Sequence, residues 1–298
     1  MTISSEGPAA VEQPGGASAP RKPDSVAKRV LASIIFIPCL VIIARRGGYY
    51  YLGLIDIMIL VGLWEFYKMM EAKGLRPYKT MGILSGLVLS WYLFFQQGVY
   101  ANLLMSVIFM AIMVLELARR EKGLAVYHIS VTMFGVFYVA WLGSHLILLR
   151  ELPHLKGLDY SLGFSFVIVT FALTWCYDTG AYFLGSWFGR HKIVPSISPG
   201  KTVEGALGGV ACSIIGIFVA RATIAPYIKP VEAVGLGIVA SIVGQLGDLC
   251  ESMIKRDVKI KDSSKTIPGH GGVLDRFDSL LFTAPLIYYF LKYVVFAR

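Results

Sequence analysis

Apolar residues in this chain fall into repeated blocks, each near the ~20 residues that a helix needs to cross ~30 Å of hydrocarbon. The blocks lie at about 30–44, 49–66, 80–96, 101–117, 129–149, 162–184, 203–224, 231–250 and 279–296. No other feature restricts the fold as strongly. Backbone N–H and C=O groups inside a bilayer must be satisfied internally, and a helix does this within one segment. Composition agrees, since 56% of the 298 residues are hydrophobic and 16% charged, where a globular domain carries about a quarter. A secreted module, a disordered chain and a single-span anchor are excluded. The expected fold class is all-α, a polytopic integral membrane helical bundle of about nine transmembrane helices.

The chain has 28 Lys and Arg against 19 Asp and Glu, a formal charge of +9. In a membrane protein such an excess marks cytoplasmic loops beside anionic headgroups, and it is no sign of a nucleic-acid partner. Alternate loops lie on opposite sides of the bilayer. The set that includes the N-terminus, with Lys68, Lys73, Arg119, Arg190, Lys255 and Lys261 among its members, carries 20 of the basic residues, and the other set carries 8. This asymmetry predicts a cytoplasmic N-terminus.

Residues 1–28 are rich in Pro, Gly, Ala and Ser without apolar periodicity, which predicts a disordered cytoplasmic tail. Glu6 and Glu12 precede any apolar stretch, so the segment does not read as a signal peptide, and nothing in it resembles a transit sequence. The expected home is a cell inner membrane, crossed many times. The chain then divides into N-terminal transmembrane helices over 29–150 and a C-terminal transmembrane catalytic region over 151–298. Two polar loops of that region, 185–202 and 251–278, share the cytoplasmic face. Cys39, Cys176, Cys212 and Cys250 stand singly with no zinc spacing and read as buried packing residues. No internal repeat of the transporter kind is visible.

The richest segment runs from Gly244 to Asp278. At ~100° per residue, Asp248, Ser252 and Lys255 share one helical face where the eighth block emerges into water. A hard divalent cation such as Mg2+ takes one or two carboxylates plus phosphate oxygens, and Lys255 and Arg256 can hold the remaining phosphate charge. The same stripe can equally be a solvated helix end. Next come Lys261, Lys265 and Asp262, then Pro268-Gly-His-Gly-Gly272, a composition that brings backbone N–H groups close to an anion. Asp275, Arg276 and Asp278 then open a helix, with the two carboxylates at i and i+3. His270 between glycines is a phosphate donor or a plain turn residue.

Ser198, Gly200 and Lys201 lie in a second segment, Ser196 to Gly205. It is not a P-loop, because Pro195 stands where that motif needs glycine and no buried strand precedes it. A short turn opening a helix can still hold an anion through free N–H groups. A third segment places Asp178 inside an apolar block, where a carboxylate is costly and faces the bundle interior, a polar partner or a cation. Gly180, Gly185 and Gly189 nearby read as sites of close helix approach. Glu65, Glu116 and His145 carry no motif and read as interface or packing residues.

Ser252-Met-Ile-Lys-Arg256, Lys261-Asp262, Pro268-Gly-His-Gly-Gly272 and Asp275-Arg-Phe-Asp278 together resemble the C-terminal signature of the phosphatidate cytidylyltransferase (CDP-diacylglycerol synthase) family. Asp178-Thr-Gly-Ala-Tyr and Ser198-Pro-Gly-Lys-Thr-Val-Glu-Gly205 are similar to family segments, with Gly200 at a place often taken by a larger polar or basic residue. The resemblance is specific over about 170–285. It implies an Mg2+-dependent membrane enzyme that joins CTP and phosphatidic acid into CDP-diacylglycerol and pyrophosphate at the cytoplasmic face. It implies Asp248 and Asp275 as metal ligands, with Asp278 beside them and room for a second cation. Ser198, Lys201, Ser252, Lys255, Arg256 and Lys261 then hold phosphates, and Asp178, Asp262, Lys265, His270 and Arg276 line the substrate site. Two other readings compete, a CTP-dependent kinase of a polyprenol or similar lipid alcohol and an ion-coupled transporter. Gly-rich helix faces allow a homodimer or simply packing within one subunit.

Overall fold

A computed structural model of the chain describes residues 23–96, 100–119, 123–264, 266 and 271–297. Its helices follow the apolar blocks: α1 Pro23–Arg46, α2 Gly48–Ala72, α3 Lys79–Gln96, α4 Ala101–Leu117, α5 Ala125–Gly135, α6 Leu142–Lys156, α7 Leu162–Phe188, α8 Val203–Thr223, α9 Pro230–Asp257 and α10 Leu274–Phe290. A π-helical stretch, Val136–Trp141, joins α5 to α6, and another, Leu291–Val295, ends α10. Among the described residues four helical segments are long and apolar enough to cross a membrane: Ala125–Lys156, Leu162–Phe188, Val203–Thr223 and Pro230–Asp257. Large apolar side chains such as Ile57, Val88, Leu103, Val107, Ile215 and Val219 are exposed around the outside. Water would penalise that surface and lipid would not.

The structure corrects the all-α expectation at one place. Lys192–Val194 (β1) and Ser198–Thr202 (β2) pair antiparallel, with Lys192 opposite Thr202, Val194 opposite Ser198 and an irregularity between them. Strands of three and five residues rich in Ser, Pro and Gly show no alternation from which a strand can be read. The polar loops are also shorter than their sequence suggests, because α9 runs on to Asp257 and α10 starts at Leu274. Helix α1 likewise starts at Pro23, inside the stretch expected as tail, and continues through Pro38. Residues 1–22 lie outside the described residues.

Helix α7 packs most extensively on α8, α10 on α9, and α8 on α9. Small residues allow the first of these contacts: a Cβ on Gly180 would lie 2.6 Å from Cys212 Cβ and 2.9 Å from the Gly208 carbonyl. The glycines of α7 are thus used within the subunit. The cysteines are not the buried packing residues expected of them, since Cys39 is exposed and Cys176, Cys212 and Cys250 are half-buried. Cys176 and Cys212 line the seam between α7 and α8, against Gly216 and Gly180. Helix α6 supplies Arg150, only 1% exposed, whose guanidinium donates to the carbonyls of Ala44 (2.7 Å), Arg45 (3.3 Å) and Tyr160 (3.1 Å). A buried cation thereby satisfies the end of α1 and ties it to the start of α7.

Candidate functional site

Helix α9 carries Asp248, Ser252 and Lys255 as its periodicity predicts, but neighbouring elements divide the trio. Ser252 Oγ donates to Asp248 Oδ1 at 3.3 Å, and Lys201 reaches Asp248 from β2 as an ion pair. Lys255 turns the other way, bridging Glu251 Oε2 at 2.7 Å and Asp275 Oδ1 at 2.8 Å. Arg256 donates to the carbonyls of Ile197 (3.2 Å) and Ile260 (3.2 Å), so it fastens the hairpin and the following loop to α9.

The hairpin that delivers Lys201 is itself held at its base. Glu204 accepts the N–H groups of Arg190 (3.0 Å) and His191 (3.2 Å) and bonds His191 Nδ1 at 2.6 Å. Thr202 caps α8 by accepting the Gly205 N–H at 3.2 Å, and the Val203 N–H donates to the His191 carbonyl. Those two N–H groups are therefore engaged within the protein, and the anion holder that this segment presents is the Lys201 ammonium. Ser198 opens β2 half-buried, opposite Val194.

Helix α10 brings Asp278 to the same place, because Gly247 lets α9 approach so closely that a Cβ there would lie 2.8 Å from the Asp278 carbonyl. Asp278 Oδ1 accepts the Ser279 N–H at 2.6 Å. Its carboxyl lies in the field of Asp248 and Asp178, and Asp178, exposed on α7, lies in that of Asp248, Lys201 and Arg276. Carboxylates on α7, α9 and α10 thus lie near enough to act on one another electrostatically.

Asp275 does something different. Its oxygens accept the N–H groups of Gly272 (2.7 Å) and Ser263 (3.0 Å) as well as the Lys255 ammonium. Burial alone would raise this carboxyl, which lies ahead of the apolar run 279–296, yet Lys255 and those N–H groups outweigh it and hold the group below its usual value. Lys261 and Asp262 are exposed, as is Arg276 in the first turn of α10. Lys265 and His270 lie outside the described residues, as do 267–269.

Two buried carboxylates beside these residues escaped the sequence reading. Glu251 is fully buried, and while its Oε2 takes Lys255, its Oε1 has no hydrogen-bond partner among the described residues. Glu65 of α2, read as a packing residue, accepts from Ser263 Oγ, Ser264 Oγ and the N–H groups of Val273 and Leu274. A carboxylate inside an apolar block was the available signal, the same one that singled out Asp178.

Among the described residues no three His, Cys, Asp or Glu side chains form a cage able to hold a metal ion by themselves. The donor set nevertheless suits Mg2+, which is bound through one or two carboxylates and completed by water and substrate phosphates. Asp248, partnered by Lys201 and Ser252, and Asp278, which lies in its field, would supply one or two such carboxylates, with the other positions left to water and phosphate.

Comparison with known proteins gives a concordant picture. A family model described as the cytidylyltransferase family matches residues 27–294. A phosphatidate cytidylyltransferase of Synechocystis sp. is 36% identical over 286 residues, 88% of this chain and 95% of that protein. Those of Staphylococcus aureus and Staphylococcus epidermidis are 33% and 35% identical over 261 residues, 87% of this chain and 94% of theirs.

Proposed function

The chain belongs to the cytidylyltransferase family, and on that premise we infer that this nucleotidyltransferase makes CDP-diacylglycerol and pyrophosphate from CTP and phosphatidate. The observation that carries the reading is the meeting of Lys201, Asp248, Asp178 and Asp278 from separate elements at the end of an apolar bundle. A lipid phosphate held in the bilayer and a nucleotide arriving from water can meet there.

In the reaction an oxygen of the phosphatidate phosphate bonds to the α-phosphorus of CTP as the bond to the bridging oxygen of the β-phosphate breaks and pyrophosphate leaves. The attacking phosphate is already ionised, so no general base is required. What the protein must supply is alignment of two anions and stabilisation of charge moving onto pyrophosphate. Lys201 would hold a phosphate oxygen in place of Asp248, with Ser252 as a neutral hydroxyl donor beside it and Ser198 at the far end of β2. Arg256, Lys261 and Arg276 add positive charge at the exposed rim, and Lys255 keeps the acidic wall formed by Glu251 and Asp275 in place. Mg2+ bound here would neutralise phosphate charge and orient the pyrophosphate leaving group.

We propose Asp248 and Asp278 as its carboxylate ligands, with the free Glu251 oxygen supporting a second cation. Asp275, the partner expected from the family resemblance, is occupied by Lys255 and two N–H groups, which favours a role in ordering the loop. We further propose nine spans with the N-terminus in the cytoplasm of a cell whose inner membrane holds the protein. A homodimer would use the exposed apolar faces of α8 and α9, where Leu207, Ile215 and Ile242 stand.

The test is a detergent-purified protein given phosphatidate and CTP labelled separately in cytosine and γ-phosphate, with and without Mg2+. Cytosine label entering lipid while γ-label leaves as pyrophosphate supports the reading. γ-Label entering a lipid alcohol instead would replace it with a kinase. Asp248→Asn, inserted normally yet turning over at near wild-type rate, would remove Asp248 from the mechanism.

A further inference from the structure

Glu65 is fully buried on α2, and its hydrogen-bond partners lie 198 to 209 residues away in sequence. Each oxygen takes one hydroxyl and one backbone donor. Oε1 accepts Ser264 Oγ at 2.5 Å and the Val273 N–H at 3.1 Å, and Oε2 accepts Ser263 Oγ at 3.2 Å and the Leu274 N–H at 2.9 Å. Helix α10 has no side-chain cap from its own N-cap residue, Val273. The first N–H groups of a helix need an acceptor when buried, and here the acceptor comes from another helix entirely.

The clamp and the site share one residue. Ser263 gives its hydroxyl to Glu65 and its N–H to Asp275, which in turn holds Lys255. The packing leaves no slack, since a Cβ on Gly272 would lie 2.0 Å from Ser263 Oγ and 2.5 Å from Glu65 Oε2. We propose that Glu65 is a positioning residue for cytidylyl transfer, fixing residues 263–264 and 273–274 against α2 so that Asp275 and Asp278 stand where the reaction needs them. The inference rests on reading this site as the cytidylyltransferase centre.

A packing role alone would make Glu65→Gln nearly silent, because Gln has the same shape. The clamp predicts otherwise, since the serine hydroxyl could turn to accept from the Gln NH2 group but the backbone N–H beside it could not, leaving one buried first-turn N–H of the α10 start without its acceptor. The experiment compares full-length wild type, Glu65→Gln, Ser263→Ala/Ser264→Ala and the triple variant in lipid nanodiscs. It measures turnover against CTP concentration and amide hydrogen exchange at 272–275. Misplacement of about 1 Å costs on the order of 100-fold in rate, so Glu65→Gln is expected to lower kcat by ~10–100-fold with less change in KM. The Val273 and Leu274 amides should exchange at least about tenfold faster while those of α2 stay protected. Adding Ser263→Ala/Ser264→Ala to Glu65→Gln should cost little more, because contacting residues are coupled. Turnover within about twofold of wild type, unchanged exchange at 273–274, or losses that simply multiply would each overturn the proposal. A wild-type protein that never labels lipid would sink the cytidylyltransferase reading instead, and the exchange comparison would still decide whether Glu65 orders the loop.

Discussion

Replacing Lys255 with Met tests the charge network most directly. The ammonium lies 2.7 Å from Glu251 and 2.8 Å from Asp275, and the three side chains are 12%, 0% and 8% exposed. Met keeps most of the aliphatic stem and deletes the charge, so packing changes little. What remains is a buried carboxylate with no cation and a second one that has lost its main counter-charge. Breaking a buried pair by removing one partner costs about 3–5 kcal/mol, whereas an exposed pair is worth about 0–1 kcal/mol. Equilibrium unfolding in detergent should therefore show Lys255→Met destabilised by about 3–5 kcal/mol. Adding Glu251→Gln should restore at least half of that, because it removes the more deeply buried orphan charge. Turnover should not return with stability, since the ammonium is still missing. A Lys255→Met protein within about 1 kcal/mol of wild type would refute the argument, because the bridge would then behave as a surface pair.

The Lys201–Asp248 pair is more open, at 22% and 27% exposure, so Lys201→Met should change stability by less than about 1 kcal/mol. It should lower turnover by about 100-fold or more, a separation read from unfolding and label transfer on one preparation. Chelating divalent cations should abolish turnover and lower the unfolding midpoint, and adding Mg2+ back should reverse both. Asp248→Asn should need more Mg2+ to reach half its own maximal rate, measured by titration. Arg150→Met leaves the carbonyls of Ala44, Arg45 and Tyr160 without their donor. It should cost at least about 2 kcal/mol and leave the KM for CTP unchanged, as saturation kinetics would show.

Sequence periodicity exposed the helices because lipid demands long apolar runs, and it exposed the Asp248–Ser252 contact because both stand on one helix at i and i+4. It did not reveal that Lys255 leaves that face for Asp275, since the choice depends on where α10 begins relative to α9. The hairpin of β1 and β2 was invisible for a related reason: its register comes from Glu204 and Arg256 fastening it from outside, and not from any alternation of its own. The hydrogen bonds of Glu65 were hidden because its partners lie some 200 residues away. A carboxylate within an apolar block announces a polar partner without saying which one.

The two lysines separate into different duties once their energies are compared. On the proposed reading, phosphates pass the rim cations Arg256 and Lys261 and meet Lys201 and Lys255 already paired with carboxylates, so an inner ammonium reaches phosphate only by giving up a carboxylate. Taking Lys255 from its carboxylates would forfeit a buried interaction of about 3–5 kcal/mol. Taking Lys201 from Asp248 forfeits about 1 kcal/mol or less, and a charge-assisted bond to phosphate returns more than that. Lys201, carried on the β1–β2 hairpin, is then the ammonium we propose to move to substrate. Its departure would free the Asp248 carboxylate, which would then be available as a ligand to a divalent cation, and on that proposal phosphate binding and metal binding would assist each other. Lys255 stays behind as the fixed strut between α9 and α10.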